Sequence, residues 1–165
     1  MMVTLTGFMG SGKTTVGKVL ADFLGCPFFD LDDLVVKKAG KSIPEIFAED
    51  GEPAFRQLEA RLLRQTVEKY SENTAVLALG GGAVLAPASA ALLHEKTVCI
   101  YLRASLDTLL ERLAGETAGR PLAGDAMAER LASREPLYEE TAHVIMDTDG
   151  LSPDEVADEI IISAL

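Results

Sequence analysis

A chain of 165 residues with 48% hydrophobic side chains is long enough for one domain with a substantial core. Its net charge of −11 excludes general nucleic-acid binding, which asks for a basic face, and none of its apolar runs approaches the ~20 residues of a membrane span. No charged n-region and long apolar h-region stand before residue 7, so no secretory leader is expected, and Cys26 and Cys99 read as reduced core residues of a cytoplasmic protein, not as a structural disulfide.

The first predicted strand, residues 3–6, runs directly into Gly7-Phe8-Met9-Gly10-Ser11-Gly12-Lys13-Thr14. This is the full G-x-x-x-x-G-K-[ST] phosphate loop, with an additional glycine at Gly10. Residues 15–24 follow with helical periodicity, and Gly25 is placed to end that helix. Strand, glycine loop and helix form a cup for phosphates, because glycines let backbone N–H groups turn inward and the helix N-terminus adds partial positive charge. Gly10, Ser11, Gly12, Lys13, Thr14 and Thr15 are the candidate nucleotide-binding residues. Lys13 would reach the β- and γ-phosphates, and the Thr14 hydroxyl would ligate Mg²⁺. The bland alternative, a glycine turn ending in a surface lysine, leaves the agreement of strand, loop and helix unexplained.

Residues 27–30 read as a second, short strand, and Asp30-Leu31-Asp32 leaves it facing the same edge as the loop. Strand alternation would put both carboxylates on one side. One would hold Mg²⁺ through water, and the other would accept a hydrogen bond or a proton from a substrate hydroxyl. An N-cap followed by an acidic first helical turn, continued by Asp33, is the structural alternative; beside a phosphate loop the chemical reading is preferred. Residues 31–55 form a polar helical insertion punctuated by Gly40, Pro44 and Gly51. Helical spacing of Phe55, Leu58, Leu62 and Val67 predicts a helix over 53–69, with Arg56 beside its apolar stripe.

Residues 75–79 are a third strand whose continuous apolar character predicts burial on both faces. Gly80-Gly81-Gly82 follows at once, removing side chains where something must approach the backbone; a merely flexible turn is the alternative. Residues 97–102 are a fourth strand, and Ser105 can cap a helix over 106–114 that ends near Arg112. There Arg112 either stacks on an adenine or is solvated. Residues 115–125, with three glycines and a proline, have the composition of a mobile flap, and Arg120 is the cation it would close on a transferring phosphate. Arg134 stands in Arg134-Glu135-Pro136-Leu137-Tyr138, where Pro136 is expected to disturb a helix end. Residues 143–147 are a fifth strand, and Ser152-Pro153-Asp154-Glu155 is a capping box opening a last helix over 153–164. His94 and His143 read as isolated helix-end and strand-edge residues, and no Cys/His cluster has metal-site spacing.

Short strands alternating with helices predict a parallel sheet covered on both faces, with ligands beyond the carboxyl ends of the strands. The phosphate loop, Asp30 and the glycines at 80–82 should therefore line one edge.

Together these residues resemble the shikimate kinase family over essentially the whole chain. The likeness rests on the loop at 7–14, Phe29-Asp30-Leu31-Asp32, Phe47-Ala48-Glu49-Asp50-Gly51-Glu52 with Phe55-Arg56 and Glu59, Gly80-Gly81-Gly82, Arg120-Pro121-Leu122 and Arg134-Glu135-Pro136-Leu137-Tyr138. The loop by itself identifies a nucleotide-binding superfamily; the remaining motifs are far more specific. The resemblance implies a P-loop three-layer α/β/α kinase domain with a five-stranded parallel sheet in the order 2-3-1-4-5. It also implies an acceptor-binding insertion near residues 31–60 and a lid near 115–125. The implied reaction is transfer of the γ-phosphate of ATP, with Mg²⁺, to the 3-hydroxyl of shikimate, on the route to chorismate and aromatic amino acids. Asp32 would hold the acceptor hydroxyls and act as base, and Arg56 and Arg134 would clamp the ring carboxylate. Gly80, Gly81 and Gly82 would meet the ring through backbone groups. Asp30 would join Thr14 at Mg²⁺, Arg120 would sit at the phosphate, and Arg112 would neighbour adenine. Ala123 departs from the pattern, since a further leucine usually follows Arg-Pro-Leu; altered flap packing is the expected consequence. A monomer that binds neither nucleic acid nor membrane is expected. A gluconate or nucleoside-monophosphate kinase of similar fold and a non-enzymatic nucleotide-binding module are the other readings, although Asp32 would repel a nucleotide acceptor's phosphate.

Overall fold

The computed structural model describes residues 1–114 and 124–165. Its most apolar runs lie where burial is complete. β1 (Met2–Thr6) and β3 (Ala75–Ala78) are buried along their whole length and pair in parallel at the middle of the sheet. β2 (Phe28–Asp30) adds to the outer side of β3, and β4 (Thr97–Arg103) to the outer side of β1. β5 (Val144–Asp147) closes the far edge, so the strand order is 2-3-1-4-5, as expected, with every pairing parallel.

Strand alternation sorts the core into two layers. On one face Met2, Leu77, Leu93, Tyr101 and Tyr138 pack together. This layer is covered by α4 (Glu52–Lys69), α5 (Pro87–Lys96) and α7 (Gly124–Thr141). On the other, Val3, Leu5, Val76 and Ile100 meet Val16 and Leu20 of α1 (Lys13–Leu24) and Val156 and Ile160 of α8 (Pro153–Ala164). Each such fully buried aliphatic side chain is worth roughly 1.5–3 kcal/mol. The insertion after β2 has a small core of its own, where Val35 of α2 (Leu31–Ala39), Ile46 of α3 (Ile43–Glu49) and Phe55 of α4 meet. α6 (Leu106–Ala114) follows β4. No helix among the described residues is long and apolar enough to cross a membrane.

Local signals worked where the chain satisfies its own helix ends. Gly25 ends α1 in the left-handed conformation, and the Ser152–Glu155 capping box is formed in both directions. A second box, Ser42 with Glu45, opens α3.

Several expectations are corrected. Pro136 does not disturb a helix end: α7 runs through it from Gly124 to Thr141, held by burial of the residues on either side of it, Leu131 and Tyr138. The buried stripe of α4 is Phe55, Glu59, Leu63 and Val67, so a glutamate stands in line with the apolar residues, while Leu58 and Leu62 lie at its margin. Asp32 lies in the first turn of α2, not on β2, so strand alternation does not set its direction. His94 and His143 are not isolated. Their rings stack at 4.5 Å, and His143 Nδ1 accepts the Cys99 N–H at 3.0 Å, because the chain reversal between α7 and β5 meets the end of α5 there. Cys99 is buried as expected, whereas Cys26 is only half-buried; both are free thiols. The flap expected over 115–125, with Arg120 and Ala123, lies outside the described residues except for positions 124 and 125, which open α7.

Candidate active site

Three connections leave the carboxyl ends of β1, β2 and β3 and converge. The first, after β1, is the phosphate loop. Gly10 and Gly12 have φ of +81° and +91°, in the region where a side chain is strained, and this lets the loop wrap before α1 begins at Lys13. Lys13 Nζ donates to the carbonyls of Gly7 at 2.7 Å and Phe8 at 3.0 Å, so the ammonium is drawn back over the loop.

The second connection follows β2. Asp30 does two things at once. Its Oδ1 accepts the N–H groups of Asp32 at 2.9 Å and Asp33 at 3.4 Å, capping α2, and its Oδ2 accepts the Thr14 hydroxyl at 2.8 Å. The cap that the sequence offered for Asp30 is therefore realised, and the same carboxylate also meets the Thr14 hydroxyl. A hydroxyl and a carboxylate in contact beside a phosphate loop are hard oxygen donors, the set that suits a small divalent cation.

The third connection is Gly80-Gly81-Gly82 after β3. It forms the floor of an open cavity of about 860 Å³, walled by Asp32, Arg56, Glu59 and Arg134. The turn is crowded from every side. A Cβ on Gly80 would come within 2.9 Å of Asp32 Oδ1 and 3.1 Å of Glu59 Oε2, and one on Gly82 within 2.5 Å of Arg56 Nη1. One on Gly81 would lie 3.3 Å from Arg134 Nη1. Arg56 is held by Glu59 at 3.0 Å and by Glu52 at 3.6 Å.

Burial, and after it the charge of Asp30, push the Asp32 carboxyl above its ordinary value, while Lys13 and Arg56 pull it down. Glu59 is 3% exposed; burial raises it too, against the charge of Arg56 and its hydrogen bond. Arg56 and Arg134 thus stand with two reluctant carboxylates, Asp32 and Glu59, in a cavity that Arg130, Glu52 and Glu129 also line, an arrangement suited to a small anion that also bears hydroxyl groups. Glu59 is the residue that sequence reasoning quoted without assigning it a place in the site. Its signal was available: it lies three residues after Arg56 and four after Phe55, which puts it on the stripe facing the sheet.

A second, smaller cavity of about 310 Å³ lies on the other side of the phosphate loop, bounded by Gly10, Gly12, Thr15, Arg112, Thr148 and Pro153. Ser11 also lines it and is itself buried. Arg112 is fixed there by Nη1 to the Gly10 carbonyl at 3.2 Å and Nη2 to the Thr148 carbonyl at 3.3 Å. Of the candidate residues, Arg120 alone lies outside the described region.

A model of the shikimate kinase family matches residues 9–164. The chain belongs to the shikimate kinase family. Among curated members, the shikimate kinase of Enterococcus faecalis is 42% identical, over 96% of this chain and 95% of its own length. That of Salinibacter ruber is 46% identical, over 90% of this chain and 78% of its own. Among solved structures, the shikimate kinase of Acinetobacter baumannii in complex with shikimate superposes with a TM-score of 0.89 at 33% identity, covering 97% of this chain and 90% of that one. The shikimate kinase fold is thus built here on a sheet of order 2-3-1-4-5, with the two cavities separated by the phosphate loop.

Proposed function

We propose that this protein transfers the γ-phosphoryl group of ATP to the 3-hydroxyl of shikimate, giving shikimate 3-phosphate and ADP. The observation that carries the reading is the larger cavity, where Arg56 and Arg134 stand over the three-glycine turn with Asp32 at its wall. The guanidinium pair matches the acceptor's carboxylate and Asp32 its hydroxyls. The backbone of Gly80, Gly81 and Gly82 meets the ring, because these residues carry no side chain of their own.

On the nucleotide side, Gly10, Ser11, Gly12, Thr15 and Lys13 cradle the phosphates, and Arg112 borders the adenine in the smaller cavity. Thr14 and Asp30 would hold Mg²⁺, which when bound neutralises charge on the β- and γ-phosphates. Asp32 orients the acceptor hydroxyl and takes its proton as the new oxygen–phosphorus bond forms and the bond to ADP breaks. Lys13 and Arg120, the latter placed by family resemblance, offset the charge of the transferring group. The chain acts as one kinase domain, with residues 31–60 as its acceptor-binding insertion and 115–125 as its lid, and works as a cytoplasmic monomer.

The test is a coupled ADP-release assay with MgATP and shikimate, gluconate, AMP or no acceptor. Rapid release only with shikimate is the expected result. Release with gluconate or AMP and none with shikimate would overturn the assignment.

A further inference from the structure

Tyr138 is 0% exposed and takes no part in the chemistry just described. It lies on α7 four residues after Arg134, so the two side chains share a face of that helix one turn apart. Its hydroxyl donates to the Gly81 carbonyl at 2.6 Å, and its ring leans on Tyr101 of β4 with centroids 5.0 Å apart. Around Gly81 three parts of the site meet. A Cβ there would lie 3.3 Å from Arg134 Nη1, 3.7 Å from Tyr138 Oη and 3.7 Å from the Gly7 carbonyl. That carbonyl is the one that accepts Lys13.

Between Arg134 and Tyr138 stands Pro136, which has no N–H to bond the carbonyl one turn back and crowds it sterically. The bond missing is the one to the Ala132 carbonyl, in the turn that carries Arg134. The buried phenol adds a tie from this part of α7 to the glycine turn. Burial pushes the Tyr138 hydroxyl up to about 12, against the pull of Arg134 and of a hydrogen bond to it, so it remains a neutral donor to Gly81.

We propose that Tyr138 is a positioning residue for the acceptor: its hydroxyl ties α7 to the Gly81 carbonyl and so sets Arg134 over the three-glycine turn. The proposal rests on the reading that Arg134 grips the acceptor's carboxylate. The hydroxyl, not the ring, carries this role, and Tyr138→Phe isolates it because the ring's packing is kept.

One neutral hydrogen bond corresponds to a change of up to about tenfold. Tyr138→Phe is therefore expected to raise the KM and Kd for shikimate roughly fivefold to tenfold, with kcat and the KM for ATP within about twofold and the Tm little changed. In the Arg134→Ala background the same change should cost no further affinity, because there is no guanidinium left to aim. Losses that simply add would overturn the proposal, as would an unchanged shikimate Kd in the single variant. An NMR spectrum of the arginine Nε–Hε groups without acceptor separates this failure from that of the functional reading. In the wild type Arg134 should give a resolved signal that moves toward the free-arginine position in Tyr138→Phe. An unmoved signal would overturn the tether whatever the acceptor is, whereas a moved signal in an enzyme that ignores shikimate would overturn only the assignment of the acceptor.

Discussion

The two glycine-rich turns of this molecule use the same residue for opposite reasons. In the phosphate loop, Gly12 has ample room: the nearest atom to a Cβ there would be Val16 Cγ2 at 3.8 Å. What it needs is its conformation, with φ at +91°. In the turn after β3, Gly82 has an ordinary backbone, φ −106° and ψ 6°, but no room, since Arg56 occupies the space a side chain would take. The first turn bends the backbone so that its own N–H groups can serve a phosphate. The second lets side chains from three distant elements close over bare backbone. A local rule suffices to recognise the first, while the second makes sense only beside Arg56, Asp32 and Arg134.

The comparison can be tested from its strongest consequence downward. Lys13→Ala removes the cation that leans over the phosphate loop, and turnover should fall by roughly 10²–10³ or more while circular dichroism and Tm stay near wild type. Near-native turnover in a folded variant would detach the loop from the chemistry. On the other turn, Arg56→Ala and Arg134→Ala should each weaken shikimate binding by about tenfold or more, the worth of a charged hydrogen bond at ~1.5–3 kcal/mol, and leave ATP binding nearly intact. Lysine at either position should restore only part, because it lacks the planar fork. Calorimetry with shikimate and with ATP separates the two sides.

The glycines themselves give the sharpest contrast. Gly12→Ala should lower stability by about 1–2 kcal/mol through backbone strain and weaken nucleotide binding. Gly82→Ala should displace the flexible end of Arg56 instead, raising the KM for shikimate severalfold at nearly constant Tm. If both variants lost stability equally, the distinction between conformation and room would fail.

The smallest effect expected is a gain. Because burial and Asp30 hold the Asp32 carboxyl above its ordinary value, the folded protein binds a proton at a pH where the unfolded chain has released it. The ionised carboxylate therefore costs stability at neutral pH, and the cost disappears as pH falls through the folded-state value. Asp32→Asn should abolish phosphoryl transfer yet raise the Tm at neutral pH, with the gain shrinking in acid. A lower Tm at neutral pH would show that the charge is compensated better than the geometry indicates.

Much of this was legible in the residues alone, for reasons that are local. Strand periods, the phosphate loop, the αL stop at Gly25 and the capping box at Ser152 each depend on atoms a few positions apart, so spacing alone reports them. The alternation of strands and helices predicted the parallel sheet, and the resemblance of the motifs supplied its order. What stayed hidden depends on partners far along the chain. Pro136 reads as a helix breaker until the burial of Leu131 and Tyr138 holds α7 through it. Glu59 can pair with Arg56 within its own helix, but its burial beside Gly80 appears only once α4 packs against the sheet edge. His94 and His143 are separated by the whole of β4, α6 and α7, and no pattern within either segment brings their rings into contact. The sequence by itself determined which elements form and which chemistry they carry, because hydrogen bonding, capping and periodicity act over a few residues. The tertiary structure decided which charges are buried, which carboxylates are raised and which arginine faces which glycine, because desolvation and close packing depend on what lies across a gap and not along the chain.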